Sequence, residues 1–186
     1  MCENLINSAI RQLIDDFNQY PNKYFTEEDV RVHLCSFLLK DFGNINQTAD
    51  DDRSISLHTE VRWWGENRSR MLSDIIIFDV IDLEVTPQRV KKLKHLDLIP
   101  NKGFSGITPK VVIELKLRRH CGESDNQFKK KIKSDVEKLE NVIGWFPCNA
   151  PKCWVVALDK RNKINELNIS SDDVALNYAF SARYEA

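Results

Sequence analysis

The stretch VVIELKLRRH, residues 111–120, places an acid and a base two positions apart within an apolar run. Side chains alternate between the faces of a strand, so Glu114 and Lys116 point the same way. The opposite face carries three apolar residues, Ile113, Leu115 and Leu117. Taken alone, this pattern is typical of an edge strand with one solvated face. It also fits a buried strand that uses both charges, and other acids in the chain favour that second interpretation.

Two further acids are predicted to point inward, where a lone charge is costly. Thr26 is a plausible N-cap, and rotation of about 100° per residue puts Glu27 on the apolar side of the following helix, with Glu28 turned away. Asp74 begins the apolar part of MLSDIIIFDVI (71–81), a pattern typical of a central strand. Inward-facing acids need positive partners, and a divalent cation with oxygen ligands is one such partner.

The element pattern predicts a single α/β domain, 1–186, with a mixed central sheet of at least four strands flanked by helices. Helices are predicted over 3–19, from Thr26 onward and over 127–145. Strands are predicted at 55–63, 71–81, 111–119 and 153–159, the first two joined by a hairpin turn at 65–70 and the last two by a parallel crossover. Residues 84–109 are predicted to be an insertion with a basic stretch, and 171–184 have weak helix or strand character.

Composition excludes several classes of protein. The net charge of −1 argues against binding polyanions through the overall field, so nucleic acid would need a local basic patch. The 5 scattered cysteines are typical of reduced thiols and form only a weak zinc pattern. No apolar run is long enough to span a membrane, and the N-terminus lacks a secretory pattern. We therefore expect a cytoplasmic protein with no membrane partner.

Two of these stretches together resemble the core motif of the PD-(D/E)XK nuclease superfamily, which has the restriction-endonuclease-like fold. Asp74 precedes IIIF (75–78), and Glu114-Leu115-Lys116 lies inside VVIELKL (111–117). Glu27 in TEEDVRVHL (26–34) resembles an acid that many members carry on the helix before the sheet. Glu60 in LHTEVRW (57–63) resembles a further acid of some branches, and IKSDVEKL (132–139) resembles the helix after the Glu-x-Lys strand.

The resemblance covers about residues 26–158 and implies a function. It implies Mg²⁺-dependent hydrolysis of DNA, with Mn²⁺ expected to substitute. It assigns Asp74, Glu114 and Glu27 as metal ligands, Lys116 as the water-positioning base and Glu60 as a possible additional acid. Ser73 stands where the family motif has proline, and the stretch between Asp74 and Glu114 is longer than is common. Two cuts in a duplex would favour a homodimer.

A basic region follows the Glu-x-Lys strand. If DNA is the substrate, its phosphates are expected to contact Arg118, Arg119, Lys129, Lys130 and Lys133. A lysine-rich helix face is also typical of ordinary solvated surface, and Glu60 could likewise belong to a wet strand face.

Two other functions remain open from the residues. One is a noncatalytic module that keeps the nuclease fold and binds nucleic acid or a protein. The other is a different Mg²⁺-phosphate enzyme on an unrelated α/β fold, although the sequence has no Gly-rich phosphate loop.

Overall fold

A five-stranded mixed sheet with helices on both faces forms the framework of the protein. The structure is a computed structural model that describes residues 2–64, 70–96, 109–161, 164 and 167–181. The helices are α1 (Cys2–Gln19), α2 (Glu27–Phe42), α3 (Pro87–His95) and α4 (Asp125–Gly144). The strands are β1 (Asn46–Gln47), β2 (Arg53–Ser54), β3 (Leu57–Trp64), β4 (Arg70–Ile77), β5 (Val111–Arg118), β6 (Lys152–Asp159) and β7 (Val174–Phe180). Short 3₁₀ turns occupy Pro21–Lys23 and Val80–Asp82.

The strand order of the large sheet is β3-β4-β5-β6-β7. β3, β4 and β5 pair antiparallel, whereas β5, β6 and β7 pair parallel. The α/β class, the mixed sheet, the β3–β4 hairpin pairing and the parallel crossover through α4 are thereby confirmed. β5 lies at the centre, and Val111 to Leu115 are all buried. The interpretation of β5 as an edge strand with a solvated face is wrong, because β4 and β6 flank it and helices cover both of its faces.

Amphipathic helices explain how the two faces are covered. On one face α1 and α2 pack Ile10, Leu34 and Leu38 against the sheet. On the other face α4 contributes Phe128 and Leu139. Thr26 caps α2 as the sequence predicts: its side chain accepts from the Asp29 N–H and the Asp29 carboxylate accepts from the Thr26 N–H, so two orphan donors of the first turn are satisfied.

A local twist in β3 changes the face on which its residues lie. The sequence predicts Leu57 and Val61 on one side, but Leu57 packs in the α1–α2 layer and Val61 in the α4 layer. Glu60 has a φ of 52°, in the left-handed region, and it is the one position at which the β3–β4 pairing is interrupted. The conformation is uncommon for a glutamate and reverses the alternation beyond it. Glu60 lies opposite Asp74 in the register.

β4 and β5 pair over three residues only and then separate. Ile75, Ile76 and Ile77 of β4 face Ile113, Val112 and Val111 of β5. Beyond Ile113 none of the described strands pairs with the edge of β5 that faces β4, so the backbone N–H groups on that edge need other acceptors. The separation therefore creates a polar gap beside Asp74 at the centre of the sheet.

The shorter segments outside the main framework have the following structure. The C-terminal segment of uncertain character contains strand β7, which pairs with β6, and β1 and β2 form a small hairpin between α2 and β3. The predicted insertion contains α3, whereas 97–108 and most of the predicted turn, 65–69, lie outside the described residues. Among the helices described, none is both long and apolar enough to cross a membrane.

Candidate active site at the separation of β4 and β5

Two carboxylates cap the edge of β5 where β4 leaves it. The Leu115 N–H donates to Oδ2 of Asp74 at 2.8 Å. The Leu117 N–H donates to Oε1 of Glu27 at 3.4 Å. Amides two residues apart point to the same edge of a strand, so both acids lie along one side of β5. Glu27 reaches this position because α2 begins immediately beside it.

Glu114 points from β5 toward α4 and is almost completely buried. Its Oε2 accepts a hydrogen bond from Nζ of Lys138 at 2.6 Å, and only 3% of its side chain is exposed. Among the described residues, Oε1 of Glu114 is buried with no hydrogen-bond partner. Burial raises the pKa of Glu114 to about 7, with the nearby charges of Asp74 and Asp135 adding to the effect of burial and Lys138 opposing it. Asp74 lies close by, because its Oδ2 accepts from the N–H of Leu115, the residue after Glu114.

Lys116 lies beside Glu114 on the same face. Its Nζ pairs with Asp135 at 2.8 Å and donates to the Leu115 carbonyl at 2.9 Å. Burial alone would lower the pKa of Lys116, but Asp135, with Glu27 and Asp74, raises it above its usual value. Lys116 is therefore an ammonium group that can donate hydrogen bonds. In this arrangement it can orient a water molecule or neutralise a phosphate, whereas the resemblance implied a proton acceptor.

Arg31 joins the acids on the α2 side of the gap. Its Nη2 donates to Oδ1 of Asp74 at 2.9 Å and its Nη1 to Oε1 of Glu60 at 3.0 Å, and it also pairs with Glu28. Burial would lower the pKa of Arg31, but its bond to Asp74 and the surrounding negative charges raise it. The Glu60 side chain is 58% exposed, so this acid lies at the rim of the site.

The sequence-based prediction missed three charged residues of the site: Arg31, Asp135 and Lys138. Arg31 is one helical turn after Glu27, on the same side of α2. Asp135 lies three residues after the buried Ile132 and four before the buried Leu139, and it is itself 9% exposed. The projection that placed Glu27 inward puts both residues on the buried side of their helices, but it does not show which groups they contact.

The predicted DNA-contacting set divides in two. Arg118 is fully buried, with its guanidinium paired to Asp159 and Asp125 and stacked over the ring of Phe128. The prediction that Arg118 contacts DNA is therefore corrected, because a phosphate cannot reach this buried guanidinium. Its place in the alternation beside Glu114 and Lys116 directs it into the α4 layer.

The other members of that set lie on α4 and the turn before it. Arg119, Lys130 and Lys133 are exposed, and Lys129 is half-buried. Arg119 lines a groove of about 470 Å³ that Glu27 also borders. Lys133 pairs with Glu137 at 3.6 Å on the exposed face of α4. Of these side chains, Arg119 is the one shown beside an acid of the site, because it shares the groove with Glu27.

The carboxylates of Asp74 and Glu114 are the oxygen donors that the site could offer to a hard cation. Within the described ranges no cluster of three or more His, Cys, Asp or Glu side chains is arranged to hold a metal. Mg²⁺ needs only one or two carboxylates, since it retains several waters. Asp74 and the orphaned Oε1 of Glu114 fit that requirement. Arg31 and Lys138 already neutralise part of the charge of these two acids.

All five cysteines are free thiols. Comparison with protein-family models, with curated proteins and with solved structures finds no match to the chain.

Proposed function

We propose that the protein is a Mg²⁺-dependent deoxyribonuclease of the PD-(D/E)XK type with a restriction-endonuclease-like fold. The observation that carries the proposal is the meeting of Asp74, Glu114 and Lys116 at the separation of two central strands, with one oxygen of Glu114 buried and unpartnered. Burying this much charge in a sheet centre costs stability unless the charges are used or compensated. The order helix, antiparallel hairpin, Glu-x-Lys strand, helix and parallel strand also supports it.

Each residue has a defined part in the proposed reaction. Asp74 and Glu114 would hold the cation, and Glu27, whose Oε1 accepts from the Leu117 N–H, would orient a water ligand rather than bind the cation as the resemblance implies. When bound, the cation supplies Lewis-acid polarisation of a phosphoryl oxygen and lowers the pKa of a bound water. Lys116 would donate from its ammonium group to a phosphate oxygen, which stabilises the negative charge that grows there during attack, while the proton of the metal-acidified water passes to solvent. The exposed Arg119 and Lys130 attract the DNA backbone in a salt-dependent manner.

A second candidate is a noncatalytic module that binds DNA or a protein partner. The observation that favours it is the compensation of the acids by Arg31, Lys116 and Lys138, which leaves the site balanced without a metal. This function predicts DNA retention in a gel-shift assay that is the same with EDTA as with Mg²⁺, and no cleavage under either condition.

The two functions are separated by incubating the purified protein with supercoiled plasmid, linear duplex and single-stranded DNA in Mg²⁺, Mn²⁺ or EDTA. The nuclease function predicts cleavage that requires the metal and falls by about 100-fold or more in Asp74→Asn, Glu114→Gln and Lys116→Met. Asp79→Asn is the matched control, because Asp79 follows the same strand but pairs with Lys110 at the surface. Cleavage in EDTA, or cleavage unaffected by Lys116→Met, would contradict the proposal.

A further inference from the structure

Lys138 of α4 reaches across the sheet face to the buried acid of β5. Its Nζ lies 2.6 Å from Oε2 of Glu114 and donates to the Leu72 carbonyl, also at 2.6 Å. The Lys138 side chain is 23% exposed, against 3% for Glu114. The ammonium group therefore lies at the boundary between the buried carboxylate and solvent.

Two ion pairs join β5 to α4 on this face, and they have opposite polarity. Lys116 of β5 binds Asp135 of α4, and Glu114 of β5 binds Lys138 of α4. Because Lys116 is engaged by Asp135, the contact that neutralises Glu114 directly comes from Lys138. A carboxylate this deeply buried needs such a contact, since an uncompensated buried charge is strongly destabilising.

Oε1 of Glu114 still has no partner among the described residues. The charge of the carboxylate is therefore balanced at Oε2, while Oε1 is available to a second positively charged group. An ammonium and a divalent cation on the same carboxylate would repel each other. The flexible four-carbon stem of lysine allows its head group to move to solvent while the stem stays packed.

We propose that Lys138 is the built-in counter-cation of Glu114, and that a divalent cation binds this site by exchange with the Lys138 ammonium group. The inference deepens the proposed function and takes from it only the location of the metal. It explains how a chain with buried acids keeps a compensated site before metal binds. It also means that part of the binding free energy of the metal is spent in displacing Lys138.

The experiment uses the full chain and Mn²⁺ as the probe. Mn²⁺ affinity is measured by titration calorimetry, and the melting temperature is measured with and without Mn²⁺. Lys138→Met is expected to melt lower than wild type without metal, to bind Mn²⁺ at least tenfold more tightly, and to show a larger Mn²⁺-induced rise in melting temperature. Lys138→Arg keeps a competing cation and is expected to bind Mn²⁺ as wild type does.

Lys133→Met is the matched control, because Lys133 lies on the exposed side of the same helix with a 67% exposed side chain. It is expected to change neither the Mn²⁺ affinity nor the metal-free melting temperature. Lys138→Gln replaces Lys138→Met if the latter does not fold. Glu114→Gln combined with Lys138→Met removes both charges, and it is expected to fold and to lose the Mn²⁺ binding.

A lower melting temperature with unchanged Mn²⁺ affinity would show a purely structural role and overturn the exchange. Weaker Mn²⁺ binding in Lys138→Met, or no Mn²⁺ binding by either wild type or variant, would also overturn it. The proposed function fails separately, through the absence of metal-dependent cleavage. Cleavage by wild type together with unchanged Mn²⁺ affinity in Lys138→Met would leave the nuclease standing and remove this inference.

Discussion

The Leu115 N–H donates to Oδ2 of Asp74 at 2.8 Å, so a side chain of β4 replaces the backbone acceptor that β5 loses when the two strands part. The same carboxylate accepts from Arg31 through its other oxygen. One residue therefore closes the sheet edge, holds the α2 guanidinium and presents an acid beside Glu114. The structural and proposed chemical roles of Asp74 coincide, and variants must be chosen to separate them.

Asp74→Ala is expected to destabilise the protein by about 3–5 kcal/mol, because it leaves a buried amide without an acceptor and the 11% exposed Arg31 side chain without its buried partner. Asp74→Asn keeps an acceptor and is expected to cost less. The measurement is the free energy of unfolding in urea. Asp79→Asn, at an exposed ion pair, should change that free energy by about 1 kcal/mol or less. Equal small effects for Asp74→Ala and Asp79→Asn would contradict this view of the gap.

The Lys116–Asp135 pair is expected to be strongly coupled. Both side chains are mostly buried, at 16% and 12% exposure. Lys116→Met and Asp135→Asn should each cost about 3–5 kcal/mol by stranding a buried charge, while the double variant recovers much of that loss. A double-mutant cycle on the free energy of unfolding measures the coupling. Additive single effects would mean that the two side chains are independent.

The adjacent arginines Arg118 and Arg119 are expected to behave oppositely. Arg118→Ala should destabilise the fold by about 3–5 kcal/mol, because it strands the buried Asp159 carboxylate. Arg119→Ala should leave stability unchanged while weakening DNA binding and lowering its salt dependence by about one phosphate contact. Urea unfolding and fluorescence anisotropy at several salt concentrations measure the two effects. Unchanged DNA affinity in Arg119→Ala would remove Arg119 from the proposed DNA surface.

Asp50 is expected to give the protein an acid-dependent stability. Its Oδ2 accepts from the Thr86 N–H at 2.7 Å, which ties the β1–β2 hairpin to the residue before α3. Burial would raise the pKa of Asp50, but hydrogen bonds from Thr86 and Thr48 lower it well below its usual value. Below about pH 3.9 the unfolded chain takes up the proton first. The contribution of Asp50 is therefore complete above that pH and is lost as the pH falls through the depressed native pKa.

Asp50→Asn should consequently reduce the free energy of unfolding more at pH 7 than at pH 3. Asp41→Asn, a change of the same charge at an exposed position, serves as the control for the general effect of charge. A cost for Asp50→Asn that is the same at both pH values would show that the shift does not contribute to folding.

Local pattern was enough to predict most of the framework. Apolar periodicity predicts α1, α2, α4 and the four strands β3 to β6, because each of these elements buries a regular face. Alternation failed in β3, because Glu60 takes the left-handed conformation where the pairing with β4 is interrupted, and the alternating pattern of the sequence does not show this. The edge interpretation of β5 failed because neighbour pairing is a non-local property that no window of the chain contains.

The acidic residues of the candidate site were easier to predict from the sequence than its basic residues. Glu27 and Asp74 stand out as acids in apolar settings, and Glu114 and Lys116 as a pair in a strand. Arg31 and Lys138 do not, because long basic side chains near an apolar stripe are ordinarily solvated. Only the structure reveals that they compensate the acids. Arg118 was predicted to contact DNA because the sequence does not show its partner. That partner, Asp159, lies on the next strand of the sheet, 41 residues away.

The proposed site has Asp74 and Glu114 holding a divalent cation, with Lys116 beside it. Its most direct test is a crystal structure of the protein soaked in Mn²⁺, with anomalous diffraction measured at the manganese edge. One anomalous peak in contact with both carboxylates is expected, together with a Lys138 side chain that has moved away from Glu114. Absence of a peak at this place, with Arg31 still on Asp74 and Lys138 still on Glu114 at saturating Mn²⁺, would contradict it.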